Sequence, residues 1–411
     1  MIYAKSIIIN RLTYLKNYEN DFKINTSIDY PEHYINKNYI ELLNNIKNDV
    51  CKYNNWITYR KLFTSLLFLN YYYNKENIGI FKKNVLSRSY FKMIEIQNDY
   101  NICKLNKSNI KVAFIAEAPG GFIEALYKIR NKYNDLYYGM SLISNNTNNI
   151  PSWYNLQKKM KHKTNLKLLY GKNNNGNIYE LINIFNFINT IGKNSCDLVT
   201  ADGGFDFTSD YVNQEYNFTR LFLCEIVLAL NLQKLGGNFV IKCFDLTNIL
   251  SIKIFYILCH CYEKIIITKL NTSRKSNSER YIICKNFVSY IDPIIMKKLF
   301  DIILKWDIYT INNSKIIDIF DFEINKQFIK KLEKYNSWFF EKQLDIYRYI
   351  ININNNLHNN LINDIIKQLV IENIEKCVSF CKLNNIYINY QSYFIINDIN
   401  SIINTHFILN K

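Results

Sequence analysis

Proline and glycine are scarce, 4 and 11 of 411 residues. So few chain punctuators exclude collagen-like and low-complexity architectures, and they make each glycine-bearing turn informative. The 10 cysteines are too sparse in 411 residues for a disulfide scaffold, and they contain no Cys-x-x-Cys pair, which argues against a zinc ribbon or a thioredoxin-type motif. The closer groupings, Cys259-His260-Cys261 and Cys377 with Cys381, read as small buried thiols, and no metal site is assigned. No apolar run reaches membrane-spanning length, and the start MIYAKSIIINRLTYLK lacks an uninterrupted apolar core before a cleavage site. A soluble intracellular protein is expected. Acidic residues are also short, 35 against 51 Lys plus Arg, for a net charge of +16. That excess favours a polyanion, and because the basic residues are dispersed without an amphipathic anchor, nucleic acid is preferred over a membrane.

Hydrophobic residues make up 48% of the chain, enough for a sizeable core. Residues 1–84 read as a helical and irregular extension. From about 110 to 287, short apolar runs alternate with longer amphipathic ones, the signature of βαβ units around a parallel sheet. Strands are predicted at Val112–Ala116, Leu136–Leu142, Leu166–Tyr170, Asp197–Ala201, Asn238–Cys243, Lys264–Leu270 and Arg280–Lys285. Helices are predicted at Phe122–Asn131, Ile178–Ile188, Glu215–Leu235 (stopped by Gly236-Gly237) and Thr247–His260. The last two strands leave no room for a crossover helix, so one strand should run antiparallel in a mostly parallel sheet. Beyond 290 the chain reads as a mainly helical accessory domain, with helices at Ile316–Phe328 and Trp338–Ile351 and a loop at Asn354–Asn356.

Five segments carry chemistry. Glu117-Ala118-Pro119-Gly120-Gly121-Phe122 follows a strand and opens a helix, where a ligand can approach backbone without meeting a Cβ. It matches neither the dinucleotide fingerprint nor a phosphate-binding P-loop. Ala201-Asp202-Gly203-Gly204-Phe205-Asp206 places Asp202 at a strand's carboxyl end. Ile241-Lys242-Cys243-Phe244-Asp245 places Lys242 at the same edge of the next strand. Ser273-Arg274-Lys275-Ser276-Asn277-Ser278-Glu279-Arg280-Tyr281 ends a basic turn with Glu279 at a strand mouth. Ser87-Arg88-Ser89-Tyr90-Phe91-Lys92-Met93-Ile94-Glu95 is expected to be helical. Singly, each reads as a turn, a solvated charge or a snorkelling lysine; together, in this order, they do not.

That combination resembles the FtsJ-like (RrmJ-type) ribose 2′-O-methyltransferases, closest to the eukaryotic and large-DNA-virus enzymes acting on mRNA caps, over residues 85–290. The resemblance implies a Rossmann-like α/β methyltransferase sheet with helical N- and C-terminal extensions, 1–84 and 291–411. It also implies a catalytic tetrad of Lys92, Asp202, Lys242 and Glu279, with Lys242 as general base, and S-adenosyl-L-methionine as cofactor. The cofactor would lie at Ala118, Pro119, Gly120, Gly121 and Phe122, with Ser141, Asn173 and Asp202. Ser141 and Asn173 stand where relatives carry carboxylates. Arg274 and Lys275 would contact RNA, and the run Lys158-Lys159-Met160-Lys161-His162-Lys163 could track phosphates. The implied partner is capped mRNA, methylated at a cap-proximal nucleotide, with other capping-enzyme subunits as further partners and no membrane. Alternatives are ribosomal or transfer RNA as substrate, or an inactive RNA-binding scaffold. The Asn/Ile-rich composition suits an asfarvirus-like cytoplasmic DNA virus, with host cytoplasm or virion as location, or an AT-rich protist, with the nucleus as location.

Overall fold

A computed structural model describes residues 6–12, 23–73, 76–81, 84–143, 151–205, 210–356 and 360–407. Its centre is an eight-stranded sheet of β1 (Ile7–Asn10), β2 (Lys111–Ile115), β3 (Leu136–Met140), β4 (Leu166–Leu169), β5 (Cys196–Ala201), β6 (Gln233–Cys243), β7 (Tyr262–Thr268) and β8 (Arg280–Phe287). The order across the sheet is β1-β7-β8-β6-β5-β2-β3-β4. Strands β4, β3, β2, β5 and β6 are mutually parallel. β8 runs antiparallel to β6 and β7 on either side. The fold is therefore the expected Rossmann-like α/β sheet with a reversed strand, flanked by helical segments.

Alternation along each strand separates two apolar cores. Val112, Phe114, Leu198, Val240, Tyr281 and Ile283 face one side. Ala113, Ile115, Val199, Phe239, Ile241 and Ile282 face the other, the period-two rule at work on a sheet covered on both faces. The first side is covered by α1 (Lys37–Val50), α2 (Ser89–Tyr100), α3 (Gly121–Arg130), and much of two long C-terminal helices, α8 (Lys326–Asn355) and α9 (Asn360–Leu383). The second is covered by α4 (Leu181–Ile191), α5 (Gln214–Leu232), α6 (Ile249–Cys261) and α7 (Pro293–Ile311).

Four expectations change. The edge strand β1 comes from residues read as helical and irregular; Ile7 and Ile9 bury against the second core, and the strand pairs antiparallel with β7. Gly236 and Gly237 do not cap α5, which ends at Leu232; they lie inside β6, with Gly236 at φ +77° and a register shift beside them. Residues 316–328 are not one helix. Lys315–Asp318 pairs antiparallel with Asn25–Ser27, and α8 starts only where Asn325 accepts from the Gln327 and Phe328 amides at 2.8 and 3.2 Å. At the other end α8 runs through Asn354 and Asn355, which were expected in a loop.

Candidate active site

The carboxyl ends of β2, β3, β5 and β6 open on a cleft of about 630 Å³. It straddles the β2/β5 boundary, where strand order reverses, the usual ligand position in an open sheet. Ser87, Ser89, Ala116, Ala118, Pro119, Ser141, Gly176, Asn177, Asp202, Gly203, Gly204 and Lys242 are among its lining residues.

Lys92, Asp202, Lys242 and Glu279 come from four different elements and meet at this edge. Lys92, one turn into α2, bridges both oxygens of Glu279 at 2.8 and 2.9 Å. Lys242 donates to the Asp202 carbonyl at 2.8 Å and lies 3.4 Å from Asp202 Oδ1. Ser273 Oγ donates to Glu279 Oε1 at 2.5 Å. The link between the two ion pairs is Tyr281. Its hydroxyl donates to Asp202 Oδ1 at 2.6 Å and accepts from Lys92 Nζ at 3.3 Å. Tyr281 is fully buried and lies directly opposite Lys242 in the β6–β8 ladder. Tyr281 closes the 273–281 motif without an expected role; strand alternation from Glu279 is the signal that puts both on one face.

At Lys242 and Glu279 burial is the largest single influence, and neighbouring charges together reverse it. Burial alone would lower Lys242, but Asp202, Glu279 and Glu225 outweigh it and hold the ammonium above its ordinary value. Burial would raise Glu279, but Lys92, Lys242 and Lys269 hold it well below the usual carboxylate range. Tyr281 is pushed well above its ordinary value by burial and by the Asp202 and Glu279 charges, so it remains a phenol donor. Two further carboxyls lie beneath the cleft floor. Glu117 Oε1 accepts from the Phe122 amide at 2.8 Å, and Glu225 Oε1 from the Gly203 amide at 3.2 Å. Burial first, then Asp202, pushes Glu117 well above its ordinary value; burial does the same to Glu225. The signal for Glu225 was a lone carboxylate inside the apolar stripe of α5.

Lys269 is drawn toward neutrality, to about 7, by burial first. Its ammonium is spent on the Asn277 carbonyl at 2.8 Å, Asn277 Oδ1 at 2.5 Å and the Glu279 carbonyl at 2.7 Å. It anchors the 277–279 turn. Glu95, at the end of the α2 motif, accepts from the Asn271 and Thr272 amides at 2.6 and 2.9 Å, fixing the start of the same loop.

The glycines are needed for close approach. A Cβ on Gly121 would come within 2.1 Å of Ser89 Oγ and 2.3 Å of Ser87 Oγ, and one on Gly203 within 2.3 Å of Glu225 Oε1. Gly120 has φ +105°, which favours glycine at the start of α3.

The expected cofactor residues divide. Ala118, Pro119, Ser141 and Asp202 line the cleft, with Ser141 Oγ accepting from the Ala118 amide at 3.3 Å. Gly120 and Gly121 shape the turn behind it. Phe122 is fully buried against Tyr281, with ring centroids 6.1 Å apart. Asn173 stays outside: it is exposed and its Nδ2 donates to Glu180 Oε2 at 2.5 Å, while Gly176, Asn177 and Ile178 reach the cleft instead. Arg274 is exposed beside the tetrad, and Lys275 is half-buried, drawn down to about 8 by burial and then by Lys376. Asp206 lies outside the described residues. Among the described residues no cluster of three His, Cys, Asp or Glu could hold a metal ion, and no helix is long and apolar enough to cross a membrane.

A family model described as FtsJ-like methyltransferase matches residues 85–287. The mouse protein named cap-specific mRNA (nucleoside-2′-O-)-methyltransferase 1 is 32% identical over 200 residues, 46% of this chain and 23% of that protein. A Caenorhabditis briggsae protein named cap-specific mRNA (nucleoside-2′-O-)-methyltransferase 1A is 29% identical over 234 residues, 54% of this chain and 26% of its own. The chain thus spans about a quarter of the length of these relatives. A solved structure described as a ribosomal RNA methyltransferase of Plasmodium falciparum shares 20% identity, with a TM-score of 0.37, over 50% of this chain and 99% of that one.

Proposed function

We propose that this chain, whose residues 85–287 match the FtsJ-like methyltransferase family model, is an mRNA cap ribose 2′-O-methyltransferase that uses S-adenosyl-L-methionine. The observation that carries the reading is the joining of Lys92, Asp202, Lys242 and Glu279 in one hydrogen-bonded cluster through Tyr281, with Asp202 and Lys242 on the cleft wall. The relatives' names supply the cap and the ribose oxygen. When bound, S-adenosylmethionine supplies an electrophilic methyl on a sulfonium.

The residues present fit that donor. The cleft has the volume of a nucleoside-sized ligand site. Pro119 and Ser141 wall it, and the Asp202 carboxylate suits a cationic neighbour. Ser141, Asn177 and backbone would hold the ribose and base, since Asn173 points away.

A ribose hydroxyl is a poor nucleophile and needs both a base and fixed aim. Lys242 is placed to take the proton at Nζ. Its carboxylate neighbours favour the ammonium, so the amine must be produced when a cationic ligand and a desolvating RNA enter the cleft. Glu279 fixes Lys92, and Tyr281 ties that pair to Asp202, so the two ammonium groups keep a constant spacing.

The test is methyl transfer from labelled S-adenosylmethionine to matched capped and uncapped short RNAs, followed by nuclease mapping. Label on the 2′-oxygen of a cap-proximal nucleotide, only with the cap present, is expected. Label on uncapped RNA would move the substrate to ribosomal or transfer RNA, and no label with any RNA would leave an RNA-binding scaffold.

A further inference from the structure

Between Glu124 and Glu180 the chain contains one carboxylate, Asp135, against Arg130 and eight lysines (128, 132, 158, 159, 161, 163, 167 and 172). Asp135 contributes nothing to the surface, because it is fully buried and paired with Arg130 at 2.6 Å. The structure folds three of those lysines around an open groove of about 400 Å³, also lined by Phe81, Tyr90 and Tyr127. Segment 84–90 separates this groove from the cleft: Ser87 and Ser89 line the cleft, whereas Tyr90 lines the groove.

The groove joins cations to ring faces. Lys128 Nζ lies 5.5 Å from the Phe81 ring and 5.6 Å from that of Tyr90, whose hydroxyl it meets at 3.0 Å. Lys163 lies 5.2 Å from the Tyr127 ring and 5.8 Å from that of Tyr133, which is 80% exposed. Glu124, the one acid in the groove, is nearly buried; it pairs with Lys159 and accepts from the Leu86 amide at 2.9 Å. The outward field is therefore positive, and ammonium groups beside aromatic faces are the pairing that holds phosphates and stacked bases of a single strand.

We propose that this groove is a second RNA-binding site, holding single-stranded nucleotides of the substrate outside the catalytic cleft. The proposal rests on the RNA reading of the cleft. It uses lysines that are not in the tetrad.

The experiment is anisotropy titration of labelled capped RNAs, one of four nucleotides and one of about 20, the longer exceeding the usual footprint of one site. The proteins compared are the wild-type full chain, Lys163→Gln, and Lys128→Gln/Lys163→Gln. The double variant should bind the longer RNA about tenfold more weakly and lower its log–log salt slope by about one per lysine removed. Its affinity for the tetramer should be unchanged, and Lys163→Gln alone should give an intermediate loss. Equal losses on both RNAs, or no loss on the longer one, would overturn the groove as an RNA site. Methyl transfer is measured alongside. If the wild type methylates no RNA yet the variants lose the longer RNA selectively, the reading of the cleft fails and the groove stands.

Discussion

Lys242 and Tyr281 sit opposite each other across a β-ladder, and their fates separate catalysis from geometry. Among the described residues Lys242 is the one lysine both at the cleft surface and beside Asp202, so Lys242→Ala should lower methyl transfer about 100-fold or more while RNA binding survives. Near-normal turnover in a single-turnover assay would dismiss Lys242 as base. The carboxylates that raise Lys242 also set the pH dependence. In the free enzyme the amine grows as pH rises, so kcat/KM should climb through neutrality into the alkaline range without a plateau near 7. A plateau near 7 would point to another base. Tyr281→Phe leaves the ring in place and deletes one hydroxyl that bonds Asp202 at 2.6 Å and Lys92 at 3.3 Å. Because a lost buried hydrogen bond costs about 1 kcal/mol, the variant should fold. Its kcat should fall about tenfold through misaimed ammonium groups, with KM for the cofactor little changed. A KM effect without a kcat effect would make Tyr281 part of ligand binding instead.

At the scale of elements, β8 carries Tyr281 on one face and Arg280 on the other. Arg280 is fully buried; it donates to Asn336 Oδ1 at 2.7 Å and to the Phe244 carbonyl at 3.1 Å, and its guanidinium lies 4.6 Å from the Phe339 ring. Asn336 in turn donates to the Leu246 carbonyl at 3.2 Å. Helix α8 thus locks the strand that presents the site. Asn336→Ala should destabilise the chain by about 2 kcal/mol, since it strips a partner from a buried cation. Thermal unfolding measures this, and an unchanged midpoint would mean that Arg280 finds another acceptor. Glu225, inside α5, gives a pH-dependent test. Its folded value is raised above the ordinary one, so above the unfolded value the denatured chain ionises while the native chain keeps its proton, and stability is lost as pH rises. Glu225→Gln cannot ionise. It should melt higher than the wild type at neutral pH, and the advantage should vanish below about pH 4, where both states of the wild type are protonated. An advantage independent of pH would point to packing.

These elements also show what the sequence could reveal. The central strands were legible because each carries a local apolar run, and Asp202 and Lys242 because each closes one, whereas Lys92, inside α2, and Glu279, ahead of β8, were named only through the family resemblance. β1 was not, since Ile7-Ile8-Ile9 becomes a strand only through β7, some 250 residues away. The segment at 316–328 was misread because its apolar residues fit a helical period, while Asp318 instead accepts from Lys253 at 2.6 Å and from the Ile319 amide at 2.8 Å. Asn173 lies outside the cleft lining because its amide bonds Glu180, a side-chain choice that the motif does not encode.

Over the whole molecule the first core ignores any division of the chain. Phe68, Phe91, Phe122, Val240, Tyr281, Phe340, Leu344, Ile350 and Phe407 belong to one buried cluster. The central sheet therefore has one face closed by residues far outside 85–287. The Phe68 and Phe394 rings pack tilted with centroids 4.2 Å apart, and Asn373 of α9 accepts from the Leu67 amide at 2.8 Å while donating to the Thr64 carbonyl at 2.7 Å. The N- and C-terminal segments thus bond to each other as well as to the sheet. Burying a large apolar side chain contributes about 2 kcal/mol, and deleting residues 291–407 would uncover many at once, against a net stability of about 5–15 kcal/mol for a typical domain. A chain ending at residue 290 should therefore lose cooperative unfolding and bind a hydrophobic dye, with methyl transfer lost in parallel. Calorimetry and dye fluorescence on matched full-length and shortened chains decide it. A sharp transition with full activity in the shortened chain would show that residues 291–411 are a separable accessory domain, and that Arg280 and Tyr281 hold their places without α8.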